Sequence, residues 1–552
     1  MKNMNPIFSL KNFRSFGEEG ANFELAPITV LTGCNSAGKS SLVKALLLLS
    51  KENILSVYGE IGRHIPSNTL PVSAQDLALG RFDKVLNTNA KNSTIELSYC
   101  IWSNFLQETV KVTRRYQTYN NDVLNNGKLI SYTIKKLDGT IVYRYPKYIN
   151  VDSIDEPFFD EIQNNYDVFR SALDYLIAYQ LLGSENQHNG TINVDHLSAE
   201  QKELIEKVDE LKNRMQGHSL EDFGLSLELW YQVIGKREKE YNASLYQLIR
   251  YEEEANNNGK KEIANDMASR KEQKEKEEKE KENEMNKELY VTLACNEVIQ
   301  PPFLQDVVYA DSSSASIKRL YSIEDNNKLC NALREMHHRK LSDEDGFFTN
   351  HAGSFLNKWM KKFDLGERIE LEGTEQGLGM LVYLKQKNGE KRLLADEGYG
   401  ITQLVSLLLY IDNIIPSDPN AEYKGYGEWE DGYKPRYICV EEPENHLHPK
   451  FQSKLAEMFV EAYQKYNIHF IIETHSEYLI RKLQVMVADK ENALSPSDVS
   501  LNYVEKDENG VSTNRKIEIQ EDGRLSDCFG TGFFDEADNR AMELLHLKAA
   551  QK

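Results

Sequence analysis

Alternation of apolar and polar residues is the main pattern in the first part of the chain. Residues 7–16 alternate in this way and are followed by Gly17 and Gly20, and a second alternating run comes next, which predicts a hairpin. Further runs, separated by Asn-Gly and Asp-Gly turns, predict an antiparallel sheet. These runs cover residues 77–85, 94–101, 109–116, 129–136 and 140–145.

The predicted sheet carries basic side chains. They are Lys111, Arg114, Arg115, Lys135 and Lys136. Charged residues on an antiparallel sheet commonly face solvent, and we favour that interpretation. A patch that contacts phosphates is the alternative.

An apolar, β-branched run predicts a buried strand at residues 27–32, and strong helix formers predict a helix at 41–49. The segment that joins them matches the pattern GxxxxGK[ST]. It consists of Gly33, Cys34, Asn35, Ser36, Ala37, Gly38, Lys39, Ser40 and Ser41. The two glycines allow a tight turn, so that backbone N–H groups converge on phosphate oxygens at the positive end of the helix. We expect Lys39 to reach the β- and γ-phosphates of ATP and Ser40 to ligate Mg²⁺.

The middle of the chain has a different composition. Residues 156–289 are charged and have apolar residues at helical spacing in part, and residues 270–282 are almost entirely ionic. This predicts an inserted helical arm with a mobile, charged tip. After it, strand-like runs occur at 289–294 and 307–309, and helical patterns at 328–336 and 353–362.

A glycine-containing motif, residues 396–404, precedes an apolar helix predicted at 404–415. Gly398, Gly400, Thr402 and Gln403 stand at the start of that helix. A helix N-terminus of this kind favours binding of a second anion, although simple packing is the common alternative for such a motif.

Two later strands end in chemically active residues. Residues 437–440 are apolar and lead into Glu441 and Glu442. Paired carboxylates near a phosphate loop suit Mg²⁺ and a hydrolytic water, so we expect Glu441 to help Ser40 hold the metal and Glu442 to polarise the water. A second apolar run, 468–472, leads to His475, which we expect to contact the γ-phosphate or the water.

Composition limits the possible partners. The 552 residues carry a net charge of −21, so any nucleic-acid site must be a local patch. The six cysteines include no CxxC pair, which indicates free thiols in a reducing compartment. No apolar run approaches the ~18 residues of a membrane span. We therefore expect a soluble cytoplasmic protein with no membrane partner.

In this order the motifs resemble the ABC-type ATPase heads of the SMC, RecF and OLD group. The resemblance implies an α/β P-loop ATPase head with an antiparallel β subdomain and an arm inserted between the phosphate loop and the signature. It also implies a head-to-head homodimer, or a higher oligomer, in which the Gly398–Gln403 signature touches the γ-phosphate bound by the other protomer. Glu441 replaces the usual Asp, and Gln75 is the candidate for the family's Q-loop glutamine.

The tail at 530–536 is similar to that of OLD-like ATPases without a nuclease domain, many of them from anti-phage systems, and most like the Septu-type ATPases, including retron-linked versions. This implies a sensor or regulatory ATPase with a separate nuclease effector, of HNH type in Septu systems, and a nucleic acid or retron element as a further candidate partner. We divide the chain into lobes 1–155 and 290–552 and an insertion 156–289. A DNA-binding recombination or repair ATPase and a slow nucleotide-gated scaffold are the alternatives.

Overall fold

The computed structural model of the protein describes residues 5–149 and 291–550 apart from internal gaps, together with two residue pairs between these ranges. The gaps are 53, 58–62, 67–68, 75–76, 78, 104–105, 119–124, 146–147, 292–293, 306, 311–317, 323–324, 326–327, 345–353, 375–377, 416–434, 492–493 and 531–532. The candidate Q-loop residue Gln75 and the ionic tip at 270–282 therefore lie outside the described residues.

The strands are β1 (Ile7–Lys11), β2 (Ala21–Glu24), β3 (Ile28–Gly33), β4 (Ile54–Val57), β5 (Arg63–Pro66), β6 (Thr69–Leu70), β7 (Thr94–Ser103), β8 (Glu108–Thr118), β9 (Gly127–Lys136), β10 (Ile141–Tyr145), β11 (Tyr148–Ile149), β12 (Gln187–His188), β13 (Thr191–Ile192), β14 (Val308–Ala310), β15 (Tyr321–Ser322), β16 (Arg368–Gly373), β17 (Gly379–Lys385), β18 (Lys391–Leu393), β19 (Arg436–Glu441), β20 (Ile468–Glu473), β21 (Val499–Lys506) and β22 (Ser512–Ile517). The helices are α1 (Ser40–Ser50), α2 (Phe82–Val85), α3 (Lys328–Glu344), α4 (Ser354–Lys362), α5 (Tyr399–Ile414), α6 (Pro449–Tyr466), α7 (Glu477–Ala488) and α8 (Glu536–Ala550), with 3₁₀ turns at Pro302–Leu304, Leu394–Asp396 and Pro496–Asp498.

A six-stranded sheet contains strands from both ends of the chain. Its order is β14-β19-β20-β3-β21-β22. The neighbours from β14 to β21 pair in parallel, and β22 pairs antiparallel with β21. Because β3 comes from the N-terminal segment and lies between β20 and β21, the two predicted lobes share one sheet.

Both faces of this sheet are buried, as is usual for parallel strands. Along β3, Leu31 faces a first core that contains α1 and the antiparallel sheet. Ile28 and Val30 point to the opposite side, into a second core built from α3 to α7. The apolar and β-branched run at 27–32 is therefore explained by burial of successive residues on opposite faces.

The predicted antiparallel sheet is confirmed, and together with the six-stranded sheet that leads into the phosphate loop it gives the expected α/β fold with an antiparallel β subdomain. Its order is β11-β10-β9-β8-β7-β1-β2, and β6 pairs with β9. The strand prediction at 77–85 was wrong, because residues 82–85 form helix α2. Phe82 and Val85, three positions apart, are both buried, which is helical rather than strand spacing.

Two other differences concern the C-terminal segment. The strand predicted at 289–294 is wrong for its described residues, because 291 and 294 are helical, and the helix at 294–299 buries Ala294, Cys295, Val298 and Ile299. A second antiparallel sheet, β15-β17-β16 with β18 on β17, was not predicted. Where the helical arm was predicted, the two described residue pairs, β12 and β13, are antiparallel strands.

The interpretation that the basic side chains of this sheet face solvent is wrong for Arg114 on β8. Its side chain is 1% exposed and forms an ion pair with Glu52, which follows α1 and is equally buried. Tyr116 donates to the second oxygen of Glu52 at 2.8 Å, and Arg114 also donates to the backbone carbonyl of Ile299. Tyr99 donates to the same carbonyl at 3.0 Å. This buried cluster ties the end of the phosphate-loop helix to the sheet and to the 294–299 helix.

Removing one partner of this ion pair leaves a buried charge uncompensated. We expect Arg114→Met to lower the free energy of unfolding by about 3–5 kcal/mol. The matched control is Arg115→Met on the same strand, because Arg115 is exposed and pairs with Glu96 at the surface, where such a change costs about 0–1 kcal/mol. Urea unfolding followed by circular dichroism measures both. Equal losses in the two variants would contradict the structural role of the buried pair.

Candidate functional site

The phosphate loop lies at the carboxyl end of β3 and leads into α1, as predicted. Gly33 and Gly38 have φ values of +137° and +108°, which side chains rarely tolerate. A Cβ at Gly33 would also collide with the carbonyl oxygen of Val504, and one at Gly38 with the hydroxyl of Ser15. Both glycines are therefore required by backbone conformation and by close packing.

Lys39 lies at the centre of the loop. It is 5% exposed, and its ammonium group donates to the carbonyl oxygens of Gly33 at 3.2 Å and Cys34 at 3.1 Å. Burial lowers the pKa of Lys39, and the nearby carboxylates of Glu473 and Glu442 act in the opposite direction. A buried ammonium group held by carbonyls is suited to neutralise phosphate charge.

The paired-acid strand β19 and the His475 strand β20 are neighbours, so their carboxyl ends meet beside the loop. Glu442 has φ +45°, and its backbone N–H donates to the carbonyl of Glu473 at 2.7 Å. The Glu442 carboxylate accepts a hydrogen bond from the side-chain amide of Asn445. The backbone N–H of His475 donates to the carboxylate of Glu444 at 2.6 Å. The structure therefore brings the predicted base and the predicted γ-phosphate sensor to the same edge.

His475 is partly buried, and its environment favours the neutral imidazole. Burial lowers the pKa of His475, and the charge of Lys39 lowers it further, while Glu442 opposes the shift. A neutral ring has one donor and one acceptor nitrogen, so it can accept from a water and donate to a phosphate oxygen.

Ser40 contacts a different acid from the one expected. Its hydroxyl donates to Oε1 of Glu473 at 3.1 Å. Glu441, the predicted metal partner of Ser40, is instead 3.9 Å from the ammonium group of Lys44, which in turn donates to the hydroxyl of Tyr309. The role of Glu441 in metal binding remains a prediction. Glu473 is a further carboxylate at the site, which the sequence analysis did not include.

Glu473 was missed although it stands at the end of a recognised strand. It is 6% exposed, and burial raises its pKa to about 7, with the charges of Glu441 and Glu442 adding and the Ser40 hydrogen bond opposing. One sequence signal was available. An acidic residue that ends an otherwise buried apolar strand is unusual, because unpaired charges are rarely buried.

The signature packs within its own chain. Gln403 donates to the backbone carbonyl of Glu442 at 3.1 Å, and Thr402 is fully buried. A Cβ on Gly400 would lie 2.6 Å from the carbonyl oxygen of His446. Gly398, by contrast, precedes α5, is exposed and has no heavy atom within 4 Å of a Cβ. Of the four predicted signature residues, Gly398 is the one placed for contact with another molecule.

A cavity of about 390 Å³ adjoins the loop, within the range of ligand pockets. It is lined by Arg14, Ser15, Ser36, Gly38, Lys39, Ser40, Ser41, Lys84, Leu86, Thr88 and Glu473. Arg14 has φ +53°, and its N–H donates to the carbonyl of Val85. Arg14 and Lys84 were not predicted as site residues, and no local pattern marks them because they are distant in sequence.

The tail packs against the His475 region. The ring of Phe533 lies 6.5 Å from the ring of His475 and 5.6 Å from that of Tyr503. Phe529 and Phe534 stack on Phe533 at 5.2 and 4.6 Å. In the sequence, only the resemblance singled out this tail. In the structure, its aromatic residues pack together beside His475.

Among the described residues, no helix is long and apolar enough to cross a bilayer.

Comparison with solved structures gives low-level similarity to Smc head domains. One is the SmcHead bound to the C-winged helix domain of ScpA, with TM-score 0.40 and 10% identity, covering 94% of this chain and 98% of that chain. Another is the Smc head domain with an extended coiled coil bound to the C-terminal domain of ScpA from Pyrococcus furiosus, with TM-score 0.36, 14% identity and coverages of 99% and 100%. A third is the SMC head domain from Thermotoga maritima, with TM-score 0.32, 11% identity and coverages of 94% and 100%.

Two families match the sequence, and no curated protein does. Residues 494–544, which include the tail, match a family described as a protein of unknown function, DUF3696. Residues 7–480 match the family described as AAA ATPase domain. Since this second match spans most of the chain and contains the phosphate loop, both acid-bearing strands and His475, the protein belongs to the AAA ATPase domain family and is an ATP-binding ATPase.

Proposed function

We propose that the protein hydrolyses ATP with Mg²⁺ in the manner of an ABC-type ATPase. The observation that carries the proposal is the convergence of Lys39, Glu442 and His475 at one edge of the shared sheet. In this arrangement Lys39 neutralises phosphate charge, Glu442 orients and deprotonates the attacking water, and His475 donates to the γ-phosphate.

The side chains at the cavity fit Mg²⁺. This ion prefers hard oxygen ligands and is commonly held by one or two carboxylates together with phosphates. Ser40 and Glu473 both line the cavity, and Oε2 of Glu473 is buried without a hydrogen-bond partner. Within the described ranges, no group of three or more His, Cys, Asp and Glu could hold a metal by itself. The ion would thus need the phosphates as further ligands.

Substitution of the proposed base separates binding from hydrolysis. Glu442→Gln should bind ATP as the wild type does and hydrolyse it about 10²- to 10⁴-fold more slowly, because the amide cannot accept the proton of the water. Lys39→Ala is the comparison variant, which should lose ATP binding because the charge that neutralises the phosphates is removed. Equilibrium binding of a fluorescent ATP analogue and single-turnover phosphate release measure the two steps. Near-normal turnover in Glu442→Gln would assign the base to another group, with Glu441 as the first candidate.

We propose further that two protomers close around ATP head to head, with the signature of one completing the site of the other. Exposure supports this assembly. Gly398 is exposed and Tyr399 is 39% exposed at the N-terminus of α5, where the helix dipole favours a phosphate.

Complementation between two inactive variants tests this assembly. Gly398→Asp is the suitable signature variant, because its side chain enters open space, whereas Asp at position 400 would clash with His446 of its own chain. A mixture of Lys39→Ala and Gly398→Asp chains should turn over more ATP than the sum of the two separate variants. One composite site in the mixed dimer then has an intact loop facing an intact signature. Turnover equal to the sum, with mixed dimers verified by differential tags, would argue for a site completed within one chain.

The biological role we propose is that of the sensor and regulatory subunit of an anti-phage defence complex that controls a separate nuclease. This rests on the resemblance of the motif order and of the 530–536 tail to OLD-like ATPases without a nuclease domain, most closely the Septu-type ATPase PtuA. The position of the tail supports a regulatory role for the protein. Because Phe533 packs beside His475, a partner that moves the tail would change the ATP site.

Co-expression with the neighbouring gene products tests this role. The chain alone should cleave neither DNA nor RNA, including tRNA. Together with the nuclease it should lower phage plaque counts, and Lys39→Ala should abolish the protection. Glu390→Gln, a change of an exposed acid between β17 and β18, in a sheet separate from that of the phosphate loop, is the control that should protect. Two results would favour the recombination and repair alternative. One is nuclease activity of the purified chain, and the other is that cells without the protein become sensitive to DNA damage while their phage plaque counts do not change.

A further inference from the structure

Glu473 is the buried carboxylate nearest to the phosphate-loop serine. It ends β20, next to β3 in the shared sheet, and its Cα pairs with that of Leu31 two residues before the loop begins. Its Oε1 accepts a hydrogen bond from Ser40 at 3.1 Å. Its Oε2 is buried and has no hydrogen-bond partner, although the side chain lines the cavity. A nearly fully buried acid that lines the cavity thus has one oxygen without a protein donor.

The other carboxylates at this edge have partners of their own. Glu442 accepts from the amide of Asn445, Glu444 accepts from the N–H of His475, and Glu441 faces the ammonium group of Lys44. Oε1 of Glu441 and Oε2 of Glu444 also lack a hydrogen-bond partner, but Glu473 is the acid among these four that contacts Ser40 and lines the cavity.

The charge at this edge is unbalanced in the presence of a nucleotide. Glu442, Glu444 and Glu473 all lie near Lys39, the buried cation among them, while Glu441 pairs with Lys44. A bound triphosphate adds several further negative charges, and like charges at such distances repel strongly in a site with little water. A divalent cation between the phosphates and a carboxylate resolves the repulsion, whereas an unpaired buried carboxylate would be costly.

We infer that Glu473, and not Glu441, is the carboxylate that ligates the divalent cation together with Ser40. The inference rests on the proposed ATP site and names the metal ligand within it. The geometry also links the cation to the base, because the backbone carbonyl of Glu473 accepts the N–H of Glu442 at 2.7 Å. A cation held by Glu473 therefore fixes the peptide group that carries the water-activating acid.

The dependence of nucleotide affinity on metal tests the assignment without using catalysis. The probe is a non-hydrolysable ATP analogue, titrated once with EDTA and once with Mg²⁺, and the quantity compared is the gain in affinity that Mg²⁺ produces. In Glu473→Gln this gain should fall by about 10-fold or more, as expected when a metal site is disturbed. Affinity in EDTA should stay the same or rise, because a negative charge next to the phosphates has been removed.

Two matched variants sharpen the comparison. Glu441→Gln should keep the wild-type gain from Mg²⁺, and so should Glu477→Gln, which removes an acid that pairs with Arg481 at the surface of α7. Mn²⁺ in place of Mg²⁺ gives a second readout, because electron paramagnetic resonance counts bound ions directly. We expect about one Mn²⁺ per nucleotide in the wild type and a clear loss in Glu473→Gln.

The assignment would be overturned if Mg²⁺ raised the nucleotide affinity of Glu473→Gln as much as it raises that of the wild type. It would also be overturned if only Glu441→Gln lost this gain in affinity. Should Glu473→Gln fail to fold, Glu473→Asp replaces it, since it keeps the charge and shortens the side chain by one methylene. An unchanged gain in that variant likewise overturns the assignment. Failure of the proposed function itself would give a different result: the wild type would not bind the ATP analogue with either EDTA or Mg²⁺.

Discussion

Strand β3 is hydrogen-bonded in parallel to β20 on one side and β21 on the other, and this pairing holds two distant parts of the chain in register. Because all of these strands run in the same direction, their carboxyl ends open at one edge of the sheet. The phosphate loop follows β3, the His475 segment follows β20, and the paired acids follow β19 one strand further along. Any change that loosened β3 from its neighbours would separate Lys39 from Glu442 and Glu473.

Buried charge appears at two places in the first core, with opposite consequences. In the Arg114 and Glu52 cluster the two charges pair with each other and bond two tyrosine hydroxyls, and although Nε of Arg114 has no hydrogen-bond partner, the cluster fixes the sheet to α1. At the phosphate loop the acids outnumber the buried cation, and an oxygen of Glu473 has no partner. The first arrangement balances its charges within the protein, and the second would be balanced by the nucleotide and cation that we propose bind there. Both are joined by α1, which starts at Ser40 and ends just before Glu52.

The signature and the tail reach the same edge from two sides. Gln403 holds the carbonyl of Glu442, while Phe533 packs against the ring of His475. Movement of α5 would therefore displace the proposed base, and movement of the tail would displace the proposed γ-phosphate contact. Of the signature residues, Gly398 is exposed, whereas Gly400, Thr402 and Gln403 are buried, so an anion-binding role of the signature remains a prediction for its exposed start.

The local features of the fold could be predicted from the amino-acid sequence. Glycines at 33 and 38 are needed for a tight turn whatever surrounds it, and the apolar runs of β3, β19 and β20 are set by burial on both faces, so the loop, its flanking elements and the antiparallel strands could be predicted. Local pattern failed where periods are short or mixed, as at residues 82–85 and 294–299, which are helical.

Which side chains meet depends on the tertiary structure. Ser40 contacts Glu473 rather than Glu441, Arg114 is buried although its neighbour Arg115 is exposed, and Gly400 packs against His446 of its own chain rather than facing outward. Each of these contacts depends on the register between strands or helices that are far apart in sequence. Hydrophobic periodicity specifies which face of an element is buried, but it does not specify which partner lies on that face.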